Sequence, residues 1–268
     1  MPHPTTSLGL FTVQTYTFLL AVGIICGLLL LAIPYRLRYT VPMGWLVDMG
    51  IMALFAGVLL ARVFHVWLNW RYFAEHTAEI TQLSAGGYNW HGAVIGVLCV
   101  VFLVSHHRHL NVSFLLDHLA IALPLLAFSG WWGCGAATCS YGAEVERMAD
   151  YPGWATWDGA GEFGLIAPRF ATQSIGMMLS GVLLGVIIVI TRKQWLEESR
   201  FWFILVLFAL GMFAIDGLRG DYAPIYGVPK FASLRADQWL DLVFAVGSIL
   251  VFFLVHRRAI ANDNQFPK

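Results

Sequence analysis

Ionisable residues that interrupt long apolar stretches are the first candidates for chemistry. Arg62 stands inside the apolar run 46–68, and His65 follows one turn later on roughly the same helical face. His91 opens a further run directly after the turn-like Gly86-Gly87-Tyr88-Asn89. Asp216 ends another, and Arg219 lies three residues on, on the same face if the helix continues. A charged side chain at mid-bilayer costs about 2.5–3.5 kcal/mol on insertion scales, so such residues are site candidates by default. A neutral imidazole near a water–lipid boundary takes a proton at physiological pH, which makes His91 the candidate for proton transfer. The bland alternatives are that Arg62 or Arg219 snorkels and pairs with Asp216, and that His65 is packed at the interface. Asp48 and Asp117 lie near helix ends and read as solvated or capping groups.

Cys134 and Cys139 fall in a Gly-rich stretch at the end of the fourth apolar segment. Four readings are open: a disulfide, two reduced packing thiols, a reactive thiol that accepts an acyl or sulfur group, or a metal pair with His91. Two thiolates and one imidazole make a thin ligand set, so no metal is expected. Positions five apart are about 140° apart around a straight helix, whereas a disulfide needs Cα atoms within about 7 Å. Gly133 and Gly135 allow the chain to bend. The expectation is a turn with the sulfurs bonded or in near contact, acting as a brace. Sulfurs pointing apart, with one beside His91, would instead suggest a thiolate activated by that histidine. Cys26 and Cys99, inside apolar runs, read as small buried hydrophobes.

These residues must be positioned by membrane helices. Of 268 residues, 59% are hydrophobic and only 12% charged, about half the charged share of a soluble domain. Net charge is zero, which gives no support to nucleic-acid binding. Abundant Trp and Tyr suit interfacial belts. No cleavable signal peptide is evident. Seven segments read as spans: 12–33, 46–68, 91–105, 114–132, 172–191, 201–217 and 239–255. The third and last are short, so a broken or partly re-entrant entry is expected there. The fold class is therefore all-α and polytopic, a single transmembrane domain over residues 1–260 with a polar tail at 261–268. Arg36, Arg38, Arg108, Arg192, Lys193, Arg200, Arg257, Arg258 and Lys268 lie in short loops or the tail, which are then cytoplasmic, with the N-terminus outside. The long segment 133–171 reads as a functional loop or an outer cap.

In order, these residues resemble one family, the bacterial prolipoprotein diacylglyceryl transferases, over nearly the whole chain. Tyr16 is similar to a tyrosine of that family's first helix. Gly57 with Ala61-Arg62-Val63-Phe64 resembles its Gly-Ala-Arg segment, and His91-Gly92-Ala93-Val94-Ile95-Gly96 its His-Gly-Gly-x-x-Gly. Asp117, Leu123-Pro124 and Gly130 match the lead-in to its signature, and Tyr141-Gly142 the signature's end. Thr172-Gln173 resembles the Ser/Thr-Gln of the fifth helix, Asp216-Gly217-Leu218-Arg219 the Glu-x-x-Arg of the sixth, and Gln238 the glutamine that opens the seventh. Between Gly130 and Gly142 the pattern departs. Trp131 stands for an Arg, Cys134 and Ala137 for two Asn, and Cys139 for a Glu. Met212 stands for a further Arg, and Phe170 and Gly176 for a His and a Glu.

The resemblance implies a protein of the bacterial cytoplasmic membrane that transfers diacylglycerol from phosphatidylglycerol to the thiol of a lipobox cysteine. His91 and Tyr16 would be catalytic. Arg62, Arg219, Asp216, Gln173 and Gln238 would bind lipid or phosphate. Cys134 and Cys139 would be a disulfide or thiol site, with no metal and no cofactor. The partners implied are a membrane phospholipid and a lipoprotein precursor. The departures keep a second reading open, a non-catalytic structural or lipid-binding subunit of a membrane complex.

Overall fold

A computed structural model describes residues 5–8, 11–31, 43–83, 87–161, 164–221 and 230–265. Strands β1 (Thr5–Leu8) and β2 (Phe11–Gln14) form a hairpin that leads into helix α1 (Thr15–Leu31). After it come α2 (Met43–Leu68), the short α3 (Trp70–Phe73), α4 (Trp90–Arg108), α5 (Val112–Leu119) and α6 (Ala122–Ala137). A second hairpin, β3 (Thr156–Ala160) with β4 (Ile166–Phe170), precedes α7 (Thr172–Arg192) and α8 (Arg200–Leu218). Strands β5 (Lys230–Phe231) and β6 (Leu234–Arg235) lead into α9 (Ala236–Gln265).

Six of these units are long and apolar enough to cross a membrane: 44–68, 90–108, 112–137, 172–192, 200–218 and 236–260. Segment 12–33 differs from its expected span. Residues 12–14 belong to β2, and α1 has 17 residues, or about 26 Å at 1.5 Å per residue, short of a hydrocarbon core of about 30 Å. The third and last spans are continuous helices, not broken or re-entrant ones. Asn89 starts α4 cleanly, its Oδ1 accepting from the backbone N–H of His91 (3.0 Å) and of Gly92 (3.4 Å). The break falls instead in the fourth span, between α5 and α6. Pro124 has no N–H to donate, and its ring crowds the carbonyl four residues back, at Ala120. The tail also departs from expectation, since α9 continues to Gln265. Arg36, Arg38, Gly86 and Lys268 lie outside the described residues.

Close packing of α2 on α4 depends on missing side chains. A Cβ on Gly92 or Gly96 would run into the backbone carbonyls of Leu60 and Ala56, the arrangement that a small-xxx-small pattern permits between membrane helices. Leu46, Met49, Val101, Leu115, Leu116, Ile187, Ile204 and Leu205 are almost fully buried and form the main core. They come from the start of α2 and α8, the end of α4 and α7, and α5, so the core fills one end of the bundle. At that end Asp117 accepts from the backbone N–H of Phe201 (3.2 Å), capping α8. Phe55, Val182, Val243 and Leu250 are exposed on the perimeter, as in a protein solvated by lipid. Cys26 and Cys99 are exposed too, not buried, because each falls on an outward helix face.

The segment 133–171 carries more strand than expected. Residues 141–145 lie between β4 and the end of α8, through Phe170 N–H to Ala143 (3.1 Å), Ala143 N–H to Leu218 (2.8 Å) and Gly220 N–H to Tyr141 (2.9 Å). This cap therefore ties the C-terminus of α8 to the C-terminus of α6.

Candidate functional site

The opposite end of the bundle gathers the start of α1, α4, α7 and α9 and the end of α2, α6 and α8. Every site residue named from the sequence lies at this end. A cavity of about 670 Å³ opens among them. Its polar lining includes Tyr16, Tyr88, Asn89, Ser140, Cys134 and Arg219. From there it runs inward past Leu20, Ile24, Val58, Leu126 and Phe208 to Leu28, Leu119 and Phe201. Tyr16 and Leu28 are twelve residues apart on α1, about 18 Å. The space is thus long and apolar, with its polar groups at one end.

Tyr16 packs its ring where a side chain on Gly133 would otherwise sit. Its hydroxyl has no hydrogen-bond partner among the described residues. Tyr88, outside the spans, donates to the Leu83 carbonyl (2.6 Å). Burial holds its phenol above the ordinary range, with nearby Arg62 pulling the other way. Arg219 ends α8 in extended conformation and is gripped by two carboxylates. Its Nη1 donates to Asp216 (2.9 Å), and its Nε and Nη2 donate to the two oxygens of Asp221 (3.0 and 2.8 Å).

The other named residues stand behind this lining. Arg62 is buried, and its guanidinium donates to the carbonyls of Glu79 (2.6 Å), Ile80 (3.1 Å) and Gly87 (3.2 Å). It also lies 5.2 Å from the Phe73 ring centre. It thereby holds the chain that delivers Tyr88 and Asn89 to the cavity. His65 packs edge-on against Phe73, with ring centres 5.7 Å apart. Gln238 sits at the third position of α9 and accepts from the Arg235 backbone N–H (3.2 Å), one half of a capping box. Its amide reaches the Phe213 carbonyl (3.4 Å). Gln173 donates to the Cys139 carbonyl (2.9 Å) and Thr172 to that of Ser140 (2.6 Å), so the start of α7 secures the cysteine turn.

His91 is fully buried and does not line the cavity. Its ring stacks on Trp90 (centres 3.9 Å apart) and meets Phe244 edge-on (5.0 Å). Nε2 lies 2.9 Å from Asp241 Oδ1, and Nδ1 lies 2.9 Å from Asn89 Oδ1. Because that oxygen already accepts two backbone N–H groups, it is an acceptor, so Nδ1 carries a proton. A second proton is then shared between Nε2 and Asp241. Asn89 touches both sides, lining the cavity and bonding to His91. Asp241 was not singled out in the sequence, although an acid three residues into the last apolar segment meets the rule that flagged Asp216. Arg235 and Asp237 were likewise not singled out. Both are buried, Arg235 with its Nη2 3.8 Å from Asp216 and Asp237 with its Oδ1 3.5 Å from Asn89.

Cys134 and Cys139 form a disulfide, with Cα atoms 4.7 Å apart. The turn comes from Thr138, which ends α6 in left-handed conformation (φ 56°) while its N–H and that of Cys139 return to the Cys134 carbonyl. Trp131, by contrast, is packed into a second apolar cluster with Met212, Phe208, Leu183 and Ile215. A Cβ on Gly176 would fall inside its indole. Positions 131, 176 and 212 are thus neighbours that fit one another. Among the described residues, no group of three or more His, Cys, Asp or Glu side chains could hold a metal ion.

The family described as prolipoprotein diacylglyceryl transferase matches residues 4–254. Three bacterial relatives are named phosphatidylglycerol–prolipoprotein diacylglyceryl transferase. One from Clostridium novyi (strain NT) is 30% identical over 260 residues, covering 96% of this chain and 95% of the relative. One from Limosilactobacillus reuteri (strain DSM 20016) is 27% identical over 259 residues, covering 94% and 90%. One from Bacillus cereus (strain G9842) is 26% identical over 266 residues, covering 97% and 94%. The apolar helices and this kinship make the chain a multi-pass protein of the bacterial inner membrane, and it belongs to the prolipoprotein diacylglyceryl transferase family.

Proposed function

We propose that the chain transfers the diacylglyceryl group of phosphatidylglycerol to the cysteine thiol of a prolipoprotein. The observation that carries this reading is the cavity's polarity, apolar along its length with Arg219 and the tyrosines at one end. Such a space suits a two-tailed lipid whose phosphate meets a guanidinium. In the reaction a carbon–sulfur bond forms at the glycerol carbon and its bond to the phosphate oxygen breaks. Glycerol phosphate leaves, and the thiol proton must be taken up. Arg219 holds the departing phosphate by exchanging Asp221 for it, while Asp216 keeps the guanidinium aimed. Tyr16, whose hydroxyl has no partner among the described residues, hydrogen-bonds the same oxygens. The His91–Asp241 pair serves the site by fixing the Asn89 side chain, and the thiol proton departs on the released glycerol phosphate.

Purified chain in vesicles containing phosphatidylglycerol, given a lipobox peptide, should convert the peptide to its diacylglyceryl thioether. Arg219→Ala should lower kcat/KM by roughly 10²-fold or more, and Arg219→Lys by less. Absence of the thioether with the unaltered chain would overturn the reading.

The same proposal takes α1 as a seventh crossing, with the site end outside, on the strength of the Lys and Arg in the opposite loops. Single cysteines at Glu79 and Gln194 should then label from opposite sides of the membrane with an impermeant reagent. Labelling of both from outside would refute that orientation.

A further inference from the structure

The disulfide is placed where a brace is not needed. Helix α6 already ends in its own backbone bonds from Thr138 and Cys139 to the Cys134 carbonyl, and Gln173 and Thr172 already hold the turn from outside. Cys139 is flanked by two non-glycine residues of positive φ, Thr138 (56°) and Ser140 (52°), a conformation that such side chains seldom adopt without a use for it. Cys134 belongs to the polar end of the cavity lining, beside Ser140, whose hydroxyl is 3.7 Å from its sulfur. Neither cysteine is sealed in the interior.

We infer that Cys134–Cys139 is a reversible covalent capture site for an apolar thiol entering this cavity. A thiolate in the cavity attacks Cys134 Sγ. A new sulfur–sulfur bond forms to Cys134, the bond to Cys139 breaks, and Cys139 leaves as the thiolate. Attack of that thiolate on the mixed disulfide reverses the step and frees the captured thiol, so no outside oxidant or reductant is consumed. The direction follows from position. Cys134 lies in the last turn of α6, where the helix dipole disfavours a negative charge, so the departing charge is better placed on Cys139 beyond the helix end. That the captured thiol belongs to the acceptor of the transfer reaction rests on the function proposed above. The exchange chemistry does not.

The test uses full-length chain in detergent. Decanethiol should open the disulfide of the unaltered chain at least about tenfold faster than glutathione at equal thiolate concentration, because each methylene buried in the cavity favours binding roughly fourfold. Equal rates, or opening only after denaturation, would overturn the proposal. In Cys139→Ser the mixed disulfide cannot be resolved. Didecyl disulfide should therefore load a decylthio group onto Cys134 ahead of the lipid-facing Cys26 and Cys99, which control for partition into the micelle. Loading of all three at one rate, or mapping of the adduct formed in the unaltered chain to Cys139, would likewise overturn it. Loss of transferase activity alone, with exchange intact, would count against the proposed function and leave this inference standing.

Discussion

Two walls of one cavity solve the problem of a membrane interior in opposite ways. The wall built from α4, α8 and α9 retains charge. Asp216 receives Arg219 and is approached by Arg235, Asp241 shares a proton with His91, and Asn89 bridges to Asp237. The wall built from α6 and α7 has no such pairs among the residues described. Trp131 lies over a glycine, and Met212 joins it from α8. Buried charge is tolerable only when each member keeps its partner, whereas an apolar contact asks only for volume. The first wall can therefore hold an anionic group in place, and the second can do no more than shape the space beside it.

The contrast breaks most sharply at Asp216. Asp216→Ala removes a carboxylate that both Arg219 and Arg235 approach, and should lower stability by about 3–5 kcal/mol, seen as a fall in the thermal midpoint in detergent. If the midpoint is unchanged, the charged wall is not held together as described. On the apolar wall Gly176→Leu should cost about 1–3 kcal/mol by overpacking. Adding Trp131→Ala to it should recover part of that loss, since the added side chain then enters the vacated indole space. Failure of the second change to help would show that the two positions are independent. The smallest effect expected is that of Gln238→Ala, about 1 kcal/mol for half of a capping box, with kcat/KM nearly unaltered. A large loss of activity at constant stability would instead place Gln238 in direct contact with substrate.

The long apolar segments were legible because each presents enough uncharged residues to cross a bilayer. Their interruptions were less so. Pro124 was read as part of a motif, although its missing N–H is what divides α5 from α6. The hairpins β5–β6 and β3–β4 were not foreseen, since strands of two to five residues leave too little alternation to recognise. Within the site, ionisability marked Arg62, His91, Asp216 and Arg219, but partners could not be read. Arg62 bonds to backbone carbonyls 17, 18 and 25 residues on, and every residue offers a carbonyl. His91 was expected at a water boundary, yet Asp241, 150 positions away, draws it into the interior. The meeting of the two sulfurs was readable from their short spacing, but its turn was not: Gly133 and Gly135 stay helical, and Thr138 makes the bend beyond the end of α6.

The triple role of the Asn89 oxygen makes the start of α4 an observable. If Nδ1 of His91 lost its proton, two acceptors would face each other across 2.9 Å, and the oxygen would be driven from the amides of His91 and Gly92. Hydrogen exchange at those two backbone positions therefore reports on a proton buried out of reach of solvent titration. Slow exchange marks the tautomer described here, and any accelerated turnover of these amides marks its loss, with no spectroscopic probe needed on the ring itself.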